Sequence, residues 1–282
     1  MTNDAPLTGP TTLVSAVQRH EHIPQAQRIV VKVGSSSVTG ANVGQIDTLV
    51  DALAEAHGRG SEVILVSSGA IASAMPFLGL EANIRASGDL ATQQAAAAVG
   101  QNVLMWRYQT SLDRYGIIAG QLLLTAGDME NPTNRSNARR AFERLLGLRV
   151  LPIVNENDTV ATQEIRFGDN DRLAALVSVL VRADLLILLS DVDALYTRPP
   201  SEPGAARIDH VAHDDELETI AFGDIGDAGV GTGGAATKVA AAKLAAANGI
   251  PVLLAETGSV ARALSGERLG TWFQAAPHGS AD

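Results

Sequence analysis

The chain contains no cysteine among its 282 residues, and this absence excludes several kinds of chemistry at once. Disulfide bonds, zinc–thiolate sites and thiol nucleophiles all require cysteine. A chain without cysteine suits a reducing compartment, so we expect a cytoplasmic protein. The N-terminus also has no basic stretch followed by an apolar one, so the sequence shows no signal peptide.

Basic residues are also in short supply. The chain has 21 of them against 31 acidic residues, which gives a net charge of −10. No basic stripe is present to neutralise the phosphates of a nucleic acid, so we expect no nucleic-acid partner. The most apolar segment, 173–189, is interrupted by Arg182 and Asp184. A membrane-spanning helix needs about 20 consecutive apolar residues, so the sequence predicts no membrane span.

Only three lysines occur, Lys32, Lys238 and Lys243, because the chain otherwise uses arginine as its cation. The lysine ammonium is a compact point charge that suits a single phosphate oxygen, whereas the guanidinium fork is broad. Lys32 and Lys238 both lie beside glycine-rich stretches, which makes them candidates for phosphate binding. We expect Lys243 to be a solvent-facing helix residue.

The stretch 28–37 is the most informative part of the chain. Its β-branched residues predict a buried parallel strand, yet Lys32 lies inside it, and burying an unpaired ammonium is costly. Gly34 and the serines 35–37 follow at once, and their N–H groups and hydroxyls can close around an anion. The stretch therefore indicates a phosphate site. The alternative is a strand whose lysine snorkels at the sheet edge.

Predicted strands alternate with predicted helices along the chain. The strands are expected at 28–33, 62–66, 117–124, 150–154, 185–189 and 251–255, and the helices at 46–57, 91–107, 134–146, from about 169 to 181, 235–248 and 257–264. A short helix is expected near 12–19 and a hairpin-and-loop excursion at 197–217. The alternation predicts an α/β fold with a mostly parallel sheet and helices on both faces. Several strands end in Gly, Ser, Asn or Asp, and ligands collect at the carboxyl ends of such strands.

A glycine-rich loop at 229–238 contains a formal G-x-G-x-x-G, formed by Gly229, Gly231 and Gly234. A dinucleotide-binding unit would need a buried strand before it, and the residues 222–227 are typical of a loop instead. No Gly-Lys-Ser or Gly-Lys-Thr occurs, so the loop is not a Walker-type P-loop. What remains is a loop leading into a helix with Lys238 in its first turn, which suits a polyphosphate tail.

Two acidic clusters follow strands. Asp158 and the run 169–171 could bind a metal, cap helices or recognise an ammonium group, and Asp169 or Asn170 is a natural N-cap. Ser190 and Asp191 could hold a nucleotide or begin a turn. The histidines, at positions 20, 22, 57, 210, 213 and 278, show no metal-ligand spacing and are expected to be solvated, structural residues.

No G-x-S-x-G hydrolase motif is present. Two lysines beside phosphate-facing loops, together with serine hydroxyls and clustered carboxylates, leave phosphoryl transfer as the chemistry. That reaction needs positioning and charge neutralisation more than a covalent catalyst.

Six motifs occur in order and together cover about residues 28–273. They lie at 31–36, 67–72, 155–158, 167–171, 189–196 and 231–238. Taken together they resemble the amino acid kinase family, and within it the kinases that act on glutamate, since Asn-Glu-Asn-Asp and Gly-Asp-Asn-Asp occur in one chain. The resemblance implies a three-layer αβα sandwich with a central, mostly parallel sheet.

The resemblance also implies a division of the chain. A leader at 1–27 would precede a kinase domain at 28–273, with a glutamate lobe at about 28–180 and an ATP lobe at about 181–273, followed by a tail at 274–282. Many bacterial relatives continue into a small RNA-modification-type (PUA) domain, which we expect to be missing here.

The implied reaction is the ATP-dependent phosphorylation of the γ-carboxylate of L-glutamate, the first step of proline synthesis. Lys32 and Lys238 would stabilise charge on the transferring phosphoryl group, and Asp171 would hold both lysines. The substrate would be bound by Ser68, Gly69, Asp158 and Asn170, with Asp158 suited to the α-ammonium. ATP would be bound by Lys32, Gly34, Ser35, Ser190, Asp191, Thr232, Gly233, Gly234, Ala235, Ala236, Thr237 and Lys238.

The implied cofactors are ATP and Mg²⁺, the latter carried mainly by phosphate oxygens, so no residue is assigned to the metal. Proline would be an inhibitor, the chain a homodimer or homotetramer, and glutamyl phosphate reductase the receiver of the product. Many relatives have Met at Ala235 and Gly at Ala194, both on the nucleotide side.

Two other functions remain open for this fold. One is a non-catalytic sensor of amino acids or nucleotides, and the other is a kinase for another small carboxylate. Both lysines and Asp171 argue against the sensor, and the loop 155–158 argues against the other kinase.

Overall fold

The computed structural model describes residues 17–80, 89–160, 170–215, 217 and 234–277. The strands are β1 (Arg28–Val33), β2 (Glu62–Ser67), β3 (Ala119–Leu124), β4 (Leu151–Glu156), β5 (Leu185–Ser190), β6 (Leu195–Tyr196), β7 (Arg207–Ile208), β8 (His210–Val211), β9 (Val252–Glu256) and β10 (Thr271–Phe273). The α-helices are α1 (Gln45–Gly58), α2 (Ala70–Leu78), α3 (Leu90–Leu112), α4 (Ala126–Glu130), α5 (Pro132–Gly147), α6 (Asn170–Val181), α7 (Ala235–Ala247) and α8 (Val260–Leu264).

The central sheet has the strand order β3-β4-β2-β1-β5-β9-β10-β8. The first six strands are mutually parallel, whereas β10 runs antiparallel to β9 and β8 pairs parallel with β10. The strand β1 lies near the middle, where Val31 pairs with Leu65 on one side and with Ile187 on the other. Parallel neighbours need crossover connections, and here helices supply them. The predicted α/β fold with a mostly parallel sheet is confirmed.

Helices cover both faces of the sheet, and each face has its own apolar core. Ile29, Val31 and Val33 of β1 join the cluster that contains α1, α3 and α8. Val30 points the other way, into the cluster that contains α5, α6 and α7. Because side chains alternate along a strand, Lys32 lies on the same face as Val30. The lysine therefore points towards the layer of α6 and α7.

The predicted strands are all present, with bounds that shift by one or two residues. The sequence did not predict α2, α4 or the short strands β8 and β10. The strand β10 has three residues and β8 has two, so neither offers a period long enough to recognise. Of the hairpin expected within 197–217, only the strand β7 lies in that range, because its partner β6 precedes it at 195–196, and β8 belongs to the main sheet. The helix expected near 12–19 lies mostly outside the described residues.

Two expectations about single side chains are wrong. His20 is buried, with its Nε2 atom 2.8 Å from the carbonyl oxygen of Leu269 and its ring 5.0 Å from that of Trp272. Burial lowers the pKa of His20, so this histidine is a core residue and not a solvated one. Lys243 is half-buried on α7, because the helix packs closely over the sheet.

No helix in the described parts of the chain is both long enough and apolar enough to cross a membrane.

The helix α2 is held by a close crossing with α3. Ile71 and Ala74 of α2 pack against Ala96 and Ala97 of α3. A Cβ atom on Gly100 would lie 1.7 Å from the carbonyl oxygen of Ala70, so only glycine permits this approach. The contact sets the position of the first turn of α2, which begins at the carboxyl edge of the sheet.

We predict that Gly100→Ala destabilises the protein. In an open helix this change stabilises by about 1 kcal/mol, but here it forces a clash with backbone and should lower the free energy of unfolding by about 1–3 kcal/mol. Urea unfolding measures the difference. Gly147→Ala is the matched control, because a Cβ atom there meets nothing within 4 Å. Equal effects of the two changes would contradict the proposed crossing.

Candidate active site

The carboxyl edge of the parallel strands gathers the polar segments. The strands β1, β2, β4, β5 and β9 end at this edge, and α6 and α7 begin there. The segment 34–39, which we call the β1 loop, follows the central strand. Ligands of open α/β sheets bind outside this edge, so the edge is the candidate site.

Three charged side chains meet below the edge. The Nζ atom of Lys32 lies 2.6 Å from Oδ1 of Asp171, and the Nζ atom of Lys238 lies 3.2 Å from Oδ2 of the same carboxylate. The side chain of Asp171 is 2% exposed, and both lysines are buried. The structure brings these three residues together, although they come from three separate elements.

The local structure explains why each residue is in place. Lys32 faces the α6–α7 layer because it alternates with the core residues Val31 and Val33. Asp171 is the second residue of α6, where the helix dipole stabilises a negative charge. Lys238 lies in the first turn of α7, where the same dipole opposes a positive charge. Asp171 offsets that cost, and the arrangement leaves a strongly anion-attracting region.

The electrostatics of the three residues favour a bound anion. Burial on its own would raise the pKa of Asp171, but the charges of Lys32 and Lys238 outweigh it and hold the pKa below its usual range. Asp171 is therefore ionised at neutral pH and cannot act as a proton donor there. One carboxylate and two ammonium groups sum to one positive charge, which a phosphoryl group would neutralise.

The predicted substrate residues lie on the β2 and β4 side of the edge. The amide of Ser68 donates to the carbonyl of Val33 at 3.2 Å. Gly69 has φ of 99°, and a Cβ atom on it would lie 2.8 Å from Cγ2 of Thr39, so this turn is pressed against the β1 loop. Asp158 and Asn170 are both buried. Among the described residues, Oδ1 of Asn170 has no hydrogen-bond partner.

Asn155 is a further candidate site residue that the sequence did not single out, although it lies in the motif at 155–158. Its Oδ1 atom accepts from the amide of Glu156 at 2.9 Å, while its buried Nδ2 atom has no partner within the described parts of the chain. An unmet buried donor costs about 1–3 kcal/mol, so such atoms are typical of ligand sites. Its position directly at the end of β4 was the available signal.

The predicted nucleotide residues divide into two groups. Gly34 is close to the lysines, since a Cβ atom on it would lie 3.9 Å from Nζ of Lys32, and Thr237 Oγ1 lies 3.4 Å from Oδ2 of Asp171. Ala235 and Gly234 are exposed at the start of α7. Thr232 and Gly233 lie outside the described residues.

The second group is away from the three clustered charges and next to the β1 loop: Ser190 ends β5, and Asp191 directly follows it. The hydroxyl of Ser36 donates to both carboxylate oxygens of Asp191, each at 3.0 Å. Sequence reasoning did not assign Ser36, Ser37 or Thr257, which join this second group. Thr257 directly follows β9. The rule that ligands bind at the carboxyl ends of strands, which made Ser190 a candidate, therefore applied to Thr257 as well.

The family model described as the amino acid kinase family matches residues 27–256. The chain belongs to the amino acid kinase family. The match begins just before β1 and ends with β9, so it includes Lys32, Asp171 and Lys238.

Curated relatives within this family are close in sequence. The chain is 69% identical over 251 residues to a protein named glutamate 5-kinase from Leifsonia xyli subsp. xyli, covering 89% of this chain and 92% of that one. It is 70% identical over 251 residues to the glutamate 5-kinase of Clavibacter sepedonicus, covering 89% and 95%. It is 54% identical over 264 residues to that of Streptomyces coelicolor, covering 92% of this chain and 70% of the relative. The chain is therefore a kinase.

Two solved structures share the fold at low sequence identity. A carbamate kinase from Giardia superposes with a TM-score of 0.60 at 15% identity, covering 88% of this chain and 98% of that one. An isopentenyl phosphate kinase gives a TM-score of 0.59 at 19% identity, covering 88% and 100%. These similarities show the fold of the amino acid kinase family alone.

We predict that Asp171→Asn destabilises the protein strongly at neutral pH. The change leaves two buried ammonium groups without their shared counter-ion, and breaking a buried pair costs about 3–5 kcal/mol. Urea unfolding at pH 7 measures the loss. Asp193→Asn is the control, since Asp193 pairs with Arg207 at a half-exposed site and such pairs contribute at most about 1 kcal/mol.

The pH dependence provides a second check of the same residue. Because the folded pKa of Asp171 lies below the unfolded value of about 3.9, its stabilisation is fully present above that value. It is lost as the pH falls through the folded pKa. The stability difference between the wild type and Asp171→Asn should therefore shrink in acid below about pH 4. A difference that widens in acid would contradict the assigned ion pairs.

Proposed function

We propose that the chain transfers the γ-phosphoryl group of ATP to the γ-carboxylate of L-glutamate, giving L-glutamyl 5-phosphate. The observation that carries the proposal is the buried carboxylate of Asp171 with Lys32 and Lys238 on its two oxygens. Relatives at 69–70% identity over most of the chain are named glutamate 5-kinase, which supports the choice of substrate.

The three charged residues act on the transferring group through charge and position. A glutamate carboxylate oxygen attacks the γ-phosphorus of ATP, the bond to the bridging oxygen breaks, and ADP leaves with the electron pair. Negative charge spreads over the oxygens of the transferring group, and Lys32 and Lys238 stabilise it in a site from which water is largely excluded. Asp171 is a positioning residue, since it orients both ammonium groups.

No general base is required in this mechanism. A glutamate side chain has a pKa of about 4.3, so the nucleophile is already ionised at neutral pH. No proton has to be transferred, and this agrees with Asp171, which the two lysines hold in its charged form. The reaction then depends on bringing two anions together, and the two buried cations reduce the repulsion between them.

Magnesium would enter with ATP. No group of three or more His, Asp or Glu suited to a metal ion occurs in the described part of the chain. Mg²⁺ commonly keeps several waters and binds through substrate phosphates, so the phosphate oxygens would be its main ligands here. When bound, it neutralises charge on the β- and γ-phosphates.

The substrates would occupy opposite sides of β1. Glutamate would lie on the β2 and β4 side, against Ser68, Gly69, Asp158 and Asn170, with the buried carboxylate of Asp158 facing the α-ammonium. ATP would lie on the β5 and β9 side. Its phosphates would meet the β1 loop and the first turn of α7, whose exposed N-terminal residues can offer amides to an anion.

The same proposal gives the enzyme a place in metabolism. It would catalyse the first step of proline biosynthesis in the cytoplasm, as a homodimer or homotetramer. Its product is a reactive acyl phosphate, which glutamyl phosphate reductase would consume. Relatives named glutamate 5-kinase support the reaction itself.

We predict that the protein forms an acyl phosphate from glutamate. Incubation with ATP, Mg²⁺ and L-glutamate in the presence of hydroxylamine should yield a hydroxamate, whereas aspartate and N-acetylglutamate should yield none. Lys238→Ala should lower the rate by about 10²–10³-fold, because one stabilising charge is lost in the transition state.

Lys243→Ala is the matched control for this experiment. It removes the other lysine of the same helix and leaves both ion pairs of Asp171 in place. Wild-type rates are expected for it. A folded, ATP-binding wild type that gives no hydroxamate would contradict the proposed reaction, and equal losses in the two variants would contradict the role of Lys238.

We also predict inhibition by proline at or near the glutamate position, because proline shares the α-ammonium and α-carboxylate. Activity at fixed glutamate should fall with millimolar proline, and added glutamate should restore it. Asp158→Asn should raise the KM for glutamate and the half-inhibitory proline concentration together. Unchanged activity in millimolar proline would rule out this regulation.

A further inference from the structure

Beside the charged residues, a chain of hydroxyl groups connects three strand ends. The hydroxyl of Ser36 donates to both oxygens of Asp191, each at 3.0 Å, and Ser37 Oγ lies 3.4 Å from Oδ1. Ser37 Oγ is also 2.8 Å from Thr257 Oγ1. Thr257 Oγ1 donates in turn to the carbonyl of Ser190 at 3.1 Å. The β1 loop is thus joined to the ends of β5 and β9.

A count of protons gives these bonds a direction. Each hydroxyl has one proton to donate. Thr257 donates its proton to the carbonyl of Ser190, which leaves the proton of Ser37 for Thr257 Oγ1 at 2.8 Å or for Asp191 Oδ1 at 3.4 Å, and the contact with Thr257 is the shorter. Asp191 then accepts its hydrogen bond from the hydroxyl of Ser36. Removal of the Thr257 hydroxyl would leave the Ser190 carbonyl unmet and free the Ser37 proton to turn towards Asp191.

The inner part of this chain is buried and the outer part is accessible. Ser37 is 3% exposed and Thr257 is 6% exposed, while Asp191 is exposed at the mouth of the site. A buried hydroxyl without a partner is destabilising because its desolvation is not offset. The pair of Ser37 and Thr257 therefore strongly favours one arrangement. The exposed carboxylate of Asp191, at the outer end, is held in position only by its contacts with Ser36 and Ser37 among the bonds of this chain.

The β1 loop that this pair anchors is otherwise well ordered by its own bonds. The hydroxyl of Thr39 donates to the carbonyl of Ser35 at 2.8 Å, and the side-chain amide of Asn42 donates to that of Ser36 at 2.9 Å. The loop begins at Gly34, next to Lys32. The loop would therefore shift as one piece, and such a shift would change the contacts that it offers to a phosphate.

The strand order restricts which substrate would feel such a shift. Ser190 and Thr257 end β5 and β9, on one side of β1, whereas Ser68 and Asp158 follow β2 and β4 on the other side. The hydroxyl chain therefore spans only the side that the proposed function gives to ATP.

We propose that Ser37 and Thr257 are positioning residues for the nucleotide. Their buried hydroxyl pair fixes the β1 loop against the ends of β5 and β9, and so presents Asp191 and the loop amides to ATP in one arrangement. This inference rests on the proposed function, since it takes ATP as the ligand of this side. Neither side chain needs to touch the nucleotide itself.

The test separates the KM values of the two substrates. Thr257→Val keeps the shape of the side chain but removes the hydroxyl, and Ser37→Ala removes the other partner. Each change should raise the KM for ATP about three- to tenfold, the effect of one lost hydrogen bond. The KM for glutamate and kcat should stay within about twofold. Thr257→Ser should restore the wild-type KM for ATP, because it returns the hydroxyl.

The double variant and a control sharpen the result. Ser37→Ala with Thr257→Val should be no worse than the poorer single variant by more than about twofold, because both changes break one contact. Ser61→Ala is the control. Ser61 is a buried serine that precedes β2 at the opposite edge of the sheet, and its hydroxyl donates to the carbonyl of Ala26. It should leave both KM values unchanged.

Titration calorimetry with Mg–ADP in the absence of glutamate makes the test independent of the reaction. The Kd for Mg–ADP should rise by the same factor as the KM for ATP, so a chain that fails to phosphorylate glutamate still tests the positioning role. Unchanged nucleotide affinity in Ser37→Ala and Thr257→Val would overturn the inference. Equal rises in both KM values, or a Thr257→Ser variant as impaired as Thr257→Val, would overturn it as well.

Discussion

The structure depends on one buried carboxylate that serves two lysines. Lys32 and Lys238 would each be unfavourable in the core without a counter-ion, and Asp171 would be unfavourable without them. Together they hold β1 against the first turns of α6 and α7. The same contact that stabilises the buried charges leaves one surplus positive charge beneath the sheet edge, so stability and the proposed phosphate recognition have a common origin.

The central strand β1 divides the site into two halves. The glycine turn at Gly69 lies against the β1 loop on the β2 side, and the hydroxyls of Ser37 and Thr257 hold the same loop on the β9 side. A loop held from both sides keeps its backbone amides in place before a ligand arrives. Such preorganisation matters in phosphoryl transfer, where the protein contributes charge and geometry and not a covalent step.

Part of the candidate site was predictable because two of its residues are unusual for their positions in the sequence. A lysine inside a β-branched run and another at the start of a glycine-led helix both contradict ordinary packing, and such local conflicts mark functional positions. The partner residue Asp171 came from the resemblance and not from the pattern, since helix capping explained the acidic run equally well. The burial of His20 against Trp272 had no local signal, because it joins the two ends of the described chain.

The sequence by itself determined the alternation of strands and helices, the placing of polar residues after strands, and the exceptional standing of Lys32 and Lys238. These are short-range properties, fixed by side-chain period and by the cost of burying charge. Only the tertiary structure decided that Gly100 receives the backbone of Ala70 and that Ser37 meets Thr257. Those contacts join residues far apart in the chain, and the packing of the sheet with its helices brings them together.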